Sequence, residues 1–183
     1  MRIDSQLSFV PLGSPLSLVG AAGVAIPSTN TIDLLGYGVG VAPNQSIIGN
    51  VTNFGADEGI GAFRPELEVA IGTAATTSNS ATLNVQFQAA ADTGAAGGYL
   101  PGTWNTLIET GYIAASSLTA GQIIARFPWV PAFPANLRPR FLRLNFQPLT
   151  ATNFTAGTIA FALVTFVRDD QANKFAAKNY TVS

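Results

Sequence analysis

Glu66 and Glu68 are the pair in this chain best spaced for acid–base chemistry. At i and i+2 on a strand they share one face, about 6.5–7 Å apart, close to the roughly 6.5–9.5 Å between the carboxylates of inverting glycosidases. Those carboxylates flank a sugar from opposite sides, which strand neighbours do not, so a solvated polar face is the expected role. Asp57-Glu58 with Asn53, and Asp169-Asp170 with Asn173, offer the oxygen atoms that calcium takes, without the spacing of a known loop. No metal and no cofactor is expected. Gly36-Tyr37-Gly38-Val39-Gly40 lacks the G-x-G-x-x-G spacing, and Pro43 follows where a phosphate-binding helix would run; it reads as a glycine-rich loop. The chain has no histidine and no cysteine. That excludes Ser-His-Asp and Cys-His catalysis, histidine metal sites, disulfides and thiolate nucleophiles. Carboxylates, amines, guanidinium groups and hydroxyls remain, a thin toolkit for an enzyme.

Arg138, Arg140 and Arg143 surround Phe141 in a short basic-aromatic run of the kind that meets single strands. With 9 Lys+Arg against 10 Asp+Glu and a net charge of -1, there is no wider basicity, and no nucleic-acid partner is expected. Arginine's bidentate fork suits an ion pair at a subunit contact better. Charge is also split along the chain: residues 1–137 are net acidic, whereas residues 138–183 carry Arg138, Arg140, Arg143, Arg168, Lys174 and Lys178 against Asp169 and Asp170. That asymmetry fits either head-to-tail complementarity or a solvated face evened out by folding. Phe127-Pro128-Trp129-Val130-Pro131-Ala132-Phe133-Pro134 is stiffened by its prolines. It is either a loop packed on its own core or a rigid apolar ridge for a partner. Trp104, Tyr99 and Tyr112 could form a sugar-stacking platform, although packing is the commoner fate of such rings.

The elements that must position these residues are strands. Leu67, Val69 and Ile71 alternate with Glu66, Glu68 and Ala70; Leu83, Val85 and Phe87 alternate with Asn84, Gln86 and Gln88; Leu142, Leu144 and Phe146 alternate with Phe141, Arg143 and Asn145. This is the period of two of half-buried strands. Trp104–Tyr112 and Gln122–Phe127 read as two more, and Thr158–Val167, apolar on both faces, as a central covered strand. Clusters of Gly, Ser, Thr and Asn separate them. Helical periodicity is nearly absent, apart from a short helix permitted over Asp169–Lys178. The fold class expected is all-β, an antiparallel jelly-roll sandwich over 64–183. Residues 1–63, with Pro11, Pro15, Pro27 and Pro43, read as an extended, irregular N-terminal arm with short strands at Ile3–Val10 and Asn30–Leu35. The arm is apolar, unlike the charged composition of intrinsic disorder, and is expected to order against a partner.

Composition supports that expectation. Charged residues are 10% of the 183, against roughly 25% in an average soluble domain. A monomer of this size exposes on the order of 8,000 Å², which leaves about one charge per 440 Å². Such a surface is expected to be hidden against neighbours. No apolar run approaches the roughly 20 residues of a membrane span, so no membrane partner is expected. A signal peptide fits poorly, because Asp4 stands in the would-be basic region and Pro11, Gly13 and Pro15 break the apolar core.

Several phrases together carry a resemblance. They are Ser28-Thr29-Asn30-Thr31-Ile32-Asp33-Leu34, then Leu83-Asn84-Val85-Gln86-Phe87-Gln88 leading to Gly102-Thr103-Trp104-Asn105-Thr106-Leu107. Arg138-Pro139-Arg140-Phe141-Leu142-Arg143-Leu144, Thr155-Ala156-Gly157-Thr158-Ile159 and Arg168-Asp169-Asp170-Gln171-Ala172-Asn173-Lys174 follow in order. Over nearly its whole length the chain resembles the jelly-roll capsid cement (decoration) proteins of tailed bacteriophages, especially the podophage type. The resemblance implies a structural protein of the virion, made in the bacterial host cytoplasm, that binds outside the assembled head and clamps neighbouring subunits of the major capsid protein. It also implies a homo-oligomer, a dimer before a trimer, and no catalytic residues. The residues above then nominate the contact surface: Phe9, Leu12 and Leu16 of the arm, Phe127, Trp129 and Phe133 of the ridge, and Arg138, Arg140, Arg143 and Arg168. On that reading Trp129→Ala weakens attachment and leaves the domain folded. The alternative is a carbohydrate-binding or receptor-recognition jelly roll, with a hydrolase using Glu66 and Glu68 a distant third.

Overall fold

The computed structural model of the chain describes residues 2–34, 65–93, 100–129 and 139–166. Their regular structure is almost entirely strand. In chain order the strands are β1 (Arg2–Val10), β2 (Leu16–Ser17), β3 (Ile26–Pro27), β4 (Ile32–Asp33), β5 (Pro65–Ile71), β6 (Thr76–Thr77) and β7 (Thr82–Ala90). They continue with β8 (Asn105–Ala114), β9 (Ile123–Pro128), β10 (Phe141–Pro148), β11 (Phe154–Ala156) and β12 (Thr158–Phe166). One 3-10 turn, Ala115–Ser117, follows β8.

Two antiparallel sheets face each other. The first has the order β1-β12-β5-β9, with β2 also paired to β12; the second has the order β3-β10-β7-β8, with β4 also paired to β10. The period-two pattern decides which side chains enter the space between them. Leu83, Val85 and Phe87 of β7, Leu142, Leu144 and Phe146 of β10, and Leu67, Val69 and Ile71 of β5 are all buried in one core. Each such side chain contributes about 1.5–3 kcal/mol on burial. Strand β12, read as covered on both faces, lies between β1 and β5, and Leu163 and Thr165 on its outward face are buried along with Ile159, Ala162 and Val164 on the inner one.

The N-terminal segment differs from expectation. Residues 2–34 are stitched into both sheets instead of extending as an arm. β1 pairs along β12 and delivers Leu7 and Phe9 to the core. β3 and β4 are one interrupted edge strand along β10, with Ile26 opposite Phe146 and Ile32 opposite Leu142. Ser28 bridges the interruption. Its N–H donates to the Leu144 carbonyl at 2.9 Å, and its Oγ accepts from the Leu144 N–H at 3.1 Å. A side chain thus replaces the missing ladder partner, and Pro27 is tolerated because it lies on an edge. Nothing beyond residue 34 in the supposed arm belongs to the described residues until Pro65.

Strand direction sorts the connections. The links β1 to β3 (11–25), β5 to β7 (72–81), β8 to β9 (115–122) and β10 to β12 (149–157) all emerge at one end of the sandwich. Backbone hydrogen bonds join them there: Gly23 N–H to Thr152 O at 2.8 Å, Ala75 N–H to Leu118 O at 3.0 Å, and Leu18 N–H to Gly157 O at 3.0 Å. Asp33, Asp92 and Arg140 stand at the other end.

Candidate functional site

The aromatic ridge turns inward. Phe127 and Trp129 are two residues apart at the end of β9, so they share the core-facing side, while Arg126 and Pro128 face out. Phe87 stacks on Phe127 at 6.3 Å and on Trp129 at 5.9 Å between centroids. Phe9 meets the Phe87 ring edge-on at 5.7 Å and Trp129 at 6.1 Å. Phe9, Phe127 and Trp129 are therefore core residues of this chain, which corrects their nomination as contact residues. The physical reason is the parity that Arg126 sets: a charged residue on the outward side commits its odd-numbered neighbours to the core. Among the described residues the buried Trp129 Nε1–H has no acceptor. Leu16 is half-buried against the core, and Leu12 is exposed. Phe133, Arg138 and Arg168 lie outside the described residues.

Arg140 is likewise turned to internal use. It is 7% exposed and sits just before β10. Its Nε and one terminal nitrogen donate to the two carboxylate oxygens of Asp33, both at 2.9 Å, and the other donates to Asp92 at 2.7 Å. The guanidinium also lies 5.2 Å from the centre of the Phe141 ring. The fork ties the edge strand β4, the start of β10 and the end of the β7 segment into one cluster. The hydrogen bond with Asp33 leads in raising the Arg140 pKa above its ordinary value, against the opposing pull of burial. The subunit ion pair expected of Arg140 is thus an intrachain one. The sequence signal for this pair is Asp33, an acid inside an otherwise uncharged run from Leu7 to Leu34.

Arg143 faces outward from β10 onto a polar sheet surface. Its guanidinium covers the Trp104 ring at 4.2 Å and its Nε donates to Gln88 Oε1 at 2.8 Å. Burial pushes its pKa below the ordinary value. Next to it, Asn145 and Gln88 both donate to Gln86 Oε1, at 2.9 and 3.1 Å. Asn84 and Gln86 donate to Glu109 Oε2 at 2.8 and 3.3 Å. The amides are spent on one another across β10, β7 and β8, which holds the strands in register. A sugar platform needs open ring faces, and Arg143 occupies one face of Trp104; Tyr112 is exposed, and Tyr99 is outside the described residues.

Glu68 is buried, and its Oε1 lies 3.0 Å from Arg126 Nε. Among the described residues no three metal-ligating side chains stand together. Asp57-Glu58 with Asn53, Asp169-Asp170 with Asn173, and the Gly36–Gly40 run lie outside the described residues.

The remaining feature is the end formed by the four joined connections. None of the residues 11–25, 72–81, 115–122 and 149–157 is Asp, Glu, Lys or Arg, and all 9 basic and 10 acidic residues of the chain lie elsewhere. Its polar groups are small and mutually bonded. Thr76 and Thr155 share a hydroxyl hydrogen bond of 2.8 Å. Thr77 Oγ1 donates to the Asn153 carbonyl and accepts from the Ala81 N–H, both at 3.0 Å. Asn79 Nδ2 donates to Asn153 Oδ1 at 3.1 Å. Two glycines permit the close approach: Gly23 at φ +68°, where a Cβ would lie 3.1 Å from the Ala151 nitrogen, and Gly157 at φ +133°, where it would lie 3.1 Å from Ala75. Sequence reasoning singled out only Leu12 and Leu16 here, because the charge-free character belongs to four separated stretches that only folding unites.

No family model matches the chain, and no curated protein matches it.

Proposed function

We propose that this protein is a capsid cement protein, a jelly-roll domain that binds the outside of an assembled phage head and clamps neighbouring subunits of the major capsid protein. The resemblance of the motifs supplies the family. The sheet orders β1-β12-β5-β9 and β3-β10-β7-β8 support the jelly-roll reading, because they alternate the strands between two facing sheets as paired Greek keys do. The observation that carries the function is the inward use of charge among the described residues. Arg140, Asp33 and Asp92 bind one another, Arg143 lies on Trp104, and Glu68 is paired with Arg126. The described connections 11–25, 72–81, 115–122 and 149–157 hold no charged residue, which suits repeated contacts across a lattice. A protein that binds only the assembled state stabilises it by mass action, and many weak symmetric contacts add through multivalency. The same account takes the protein as a homo-oligomer, a dimer first.

The test is add-back to heads assembled without this chain. Saturable binding, with an increase in the temperature at which the heads rupture, is the expected result; unchanged rupture at saturating protein contradicts the reading. A carbohydrate-binding role is less well supported, because the amides of the second sheet bind one another and Arg143 covers Trp104. Binding of oligosaccharides with quenching of tryptophan fluorescence would favour that role instead.

A further inference from the structure

Strands β7, β8 and β10 carry one charge of each sign, Arg143 and Glu109, and both stand on the outward face of the second sheet. Arg143 is opposite Gln88, which is opposite Thr106; two residues along, Asn145 is opposite Gln86, which is opposite Glu109. The two charges are therefore diagonal across three strands, about 9.5 Å apart across the sheet and roughly 6.5–7 Å along it. A chain of hydrogen bonds connects them. Arg143 Nε donates to Gln88 Oε1, Gln88 Nε2 to Gln86 Oε1, and Gln86 Nε2 to Glu109 Oε2, at 2.8, 3.1 and 3.3 Å. A guanidinium only donates and a carboxylate only accepts, so both amides must point oxygen toward the cation and nitrogen toward the anion. Yet neither charge is neutralised. Among the described residues the ion pairs are Arg126 with Glu68 and Arg140 with Asp33 and Asp92. The terminal nitrogens of Arg143 and the Oε1 of Glu109 have no protein partner there. Burial lowers the Arg143 pKa, the mark of a cation drawn partly out of water with no counter-charge beside it.

We infer that this face pairs with the same face of a second copy of the chain, Arg143 of each lying over Glu109 of the other. A two-fold axis in the contact plane, crossing the line between the two charges at right angles, exchanges their positions, so one patch serves both copies. Charge complementarity selects this occupant. A basic or an acidic partner would satisfy one end of the relay and oppose the other. A face with one charge of each sign on the same diagonal satisfies both, and this chain supplies it. Asp33, opposite Phe141 at the end of the face, is held by Arg140 and takes no part. The middle of the face is ready for contact. Asn84, Gln88 and Asn145 are buried and hydrogen-bonded, so expelling water leaves few orphaned groups. Their bonds hold them in place beforehand, which lowers the ordering cost of association. Tyr112, 53% exposed beside Asn84, and Trp104 against Arg143 supply the aromatic area that interfaces favour. The pairing is a property of the free protein and holds with or without a shell.

The experiment is sedimentation of the full chain over a range of concentrations, with circular dichroism to confirm that each variant is folded. The native chain is expected to dimerise, and the dimer to weaken between about 0.05 and 0.5 M salt as the pairs are screened. Arg143→Glu alone and Glu109→Arg alone are each expected to weaken it roughly tenfold or more, because like charges then meet at both contacts. An equimolar mixture of those two variants is expected to dimerise again, since every contact between them joins opposite charges. Glu109→Gln keeps an acceptor for Asn84 and Gln86 while removing the charge, and it is expected to weaken the dimer with the fold intact. A native chain that stays monomeric at millimolar concentration overturns the inference. So does a dimer that neither reversal weakens, or a mixture of the reversals that stays monomeric. If a reversal does not fold, Glu109→Gln and the salt series decide, and unchanged dimerisation in both overturns the pairing. No shell is present in these measurements, so their failure is separate from failure of the cement reading, which the add-back to heads decides.

Discussion

At the scale of single residues, arginine and tryptophan serve the fold where the sequence suggested a surface. Arg140 is held by two carboxylates in a site from which water is largely excluded, so removing it strands Asp33 and Asp92 without their counter-charge. Breaking a buried pair in this way costs about 3–5 kcal/mol. Arg140→Ala is therefore expected to lose a large part of the stability in urea melts, and Arg140→Lys to recover only part of it, because an ammonium cannot reproduce the fork. An unchanged midpoint for Arg140→Ala contradicts the role given to the cluster. Because the folded-state pKa of Arg140 is raised, its contribution is complete below the ordinary guanidinium value and is lost only on passing above it, beyond about pH 12. Trp129 packs on Phe9 and Phe87. Trp129→Ala is expected to lower the melting temperature by roughly 6–20 °C, as a large core truncation does. A folded variant with native stability and weakened attachment would instead restore the surface ridge.

At the scale of elements, legibility followed periodicity. β5, β7, β10 and β12 were readable because each alternates or runs apolar over enough residues to choose a face. Of the edge along β10, β4 was readable within the strand expected at Asn30–Leu35, whereas β3 was not, since a two-residue strand has no period and Ser28 completes the ladder with its side chain. The ridge left two readings open because prolines hide the strand pattern, although Arg126 beside Phe127 already marks which parity faces out. The charge-free end was legible only in pieces, because its four connections are far apart in the chain. Its architecture depends on close approach, and Gly157 tests that directly. With φ at +133° and a would-be Cβ 3.1 Å from the Ala75 Cα and Cβ atoms, Gly157→Ala is expected to cost roughly 1–3 kcal/mol in chemical denaturation. A neutral substitution would mean that the connections are looser than described.

At the scale of the whole molecule, the two sheets supply the body, and among the described residues Arg140, Asp33 and Asp92 are turned to one another. Together they suit the proposed role, in which the protein is present in many copies at equivalent places. For the cement role proposed above, the most direct measurement is the copy number of this chain in purified phage particles, relative to the major shell protein on a quantified gel. A ratio near one to one is the predicted result, since only the shell lattice offers that many sites. Absence from the particle, or a few copies confined to the tail, contradicts the account.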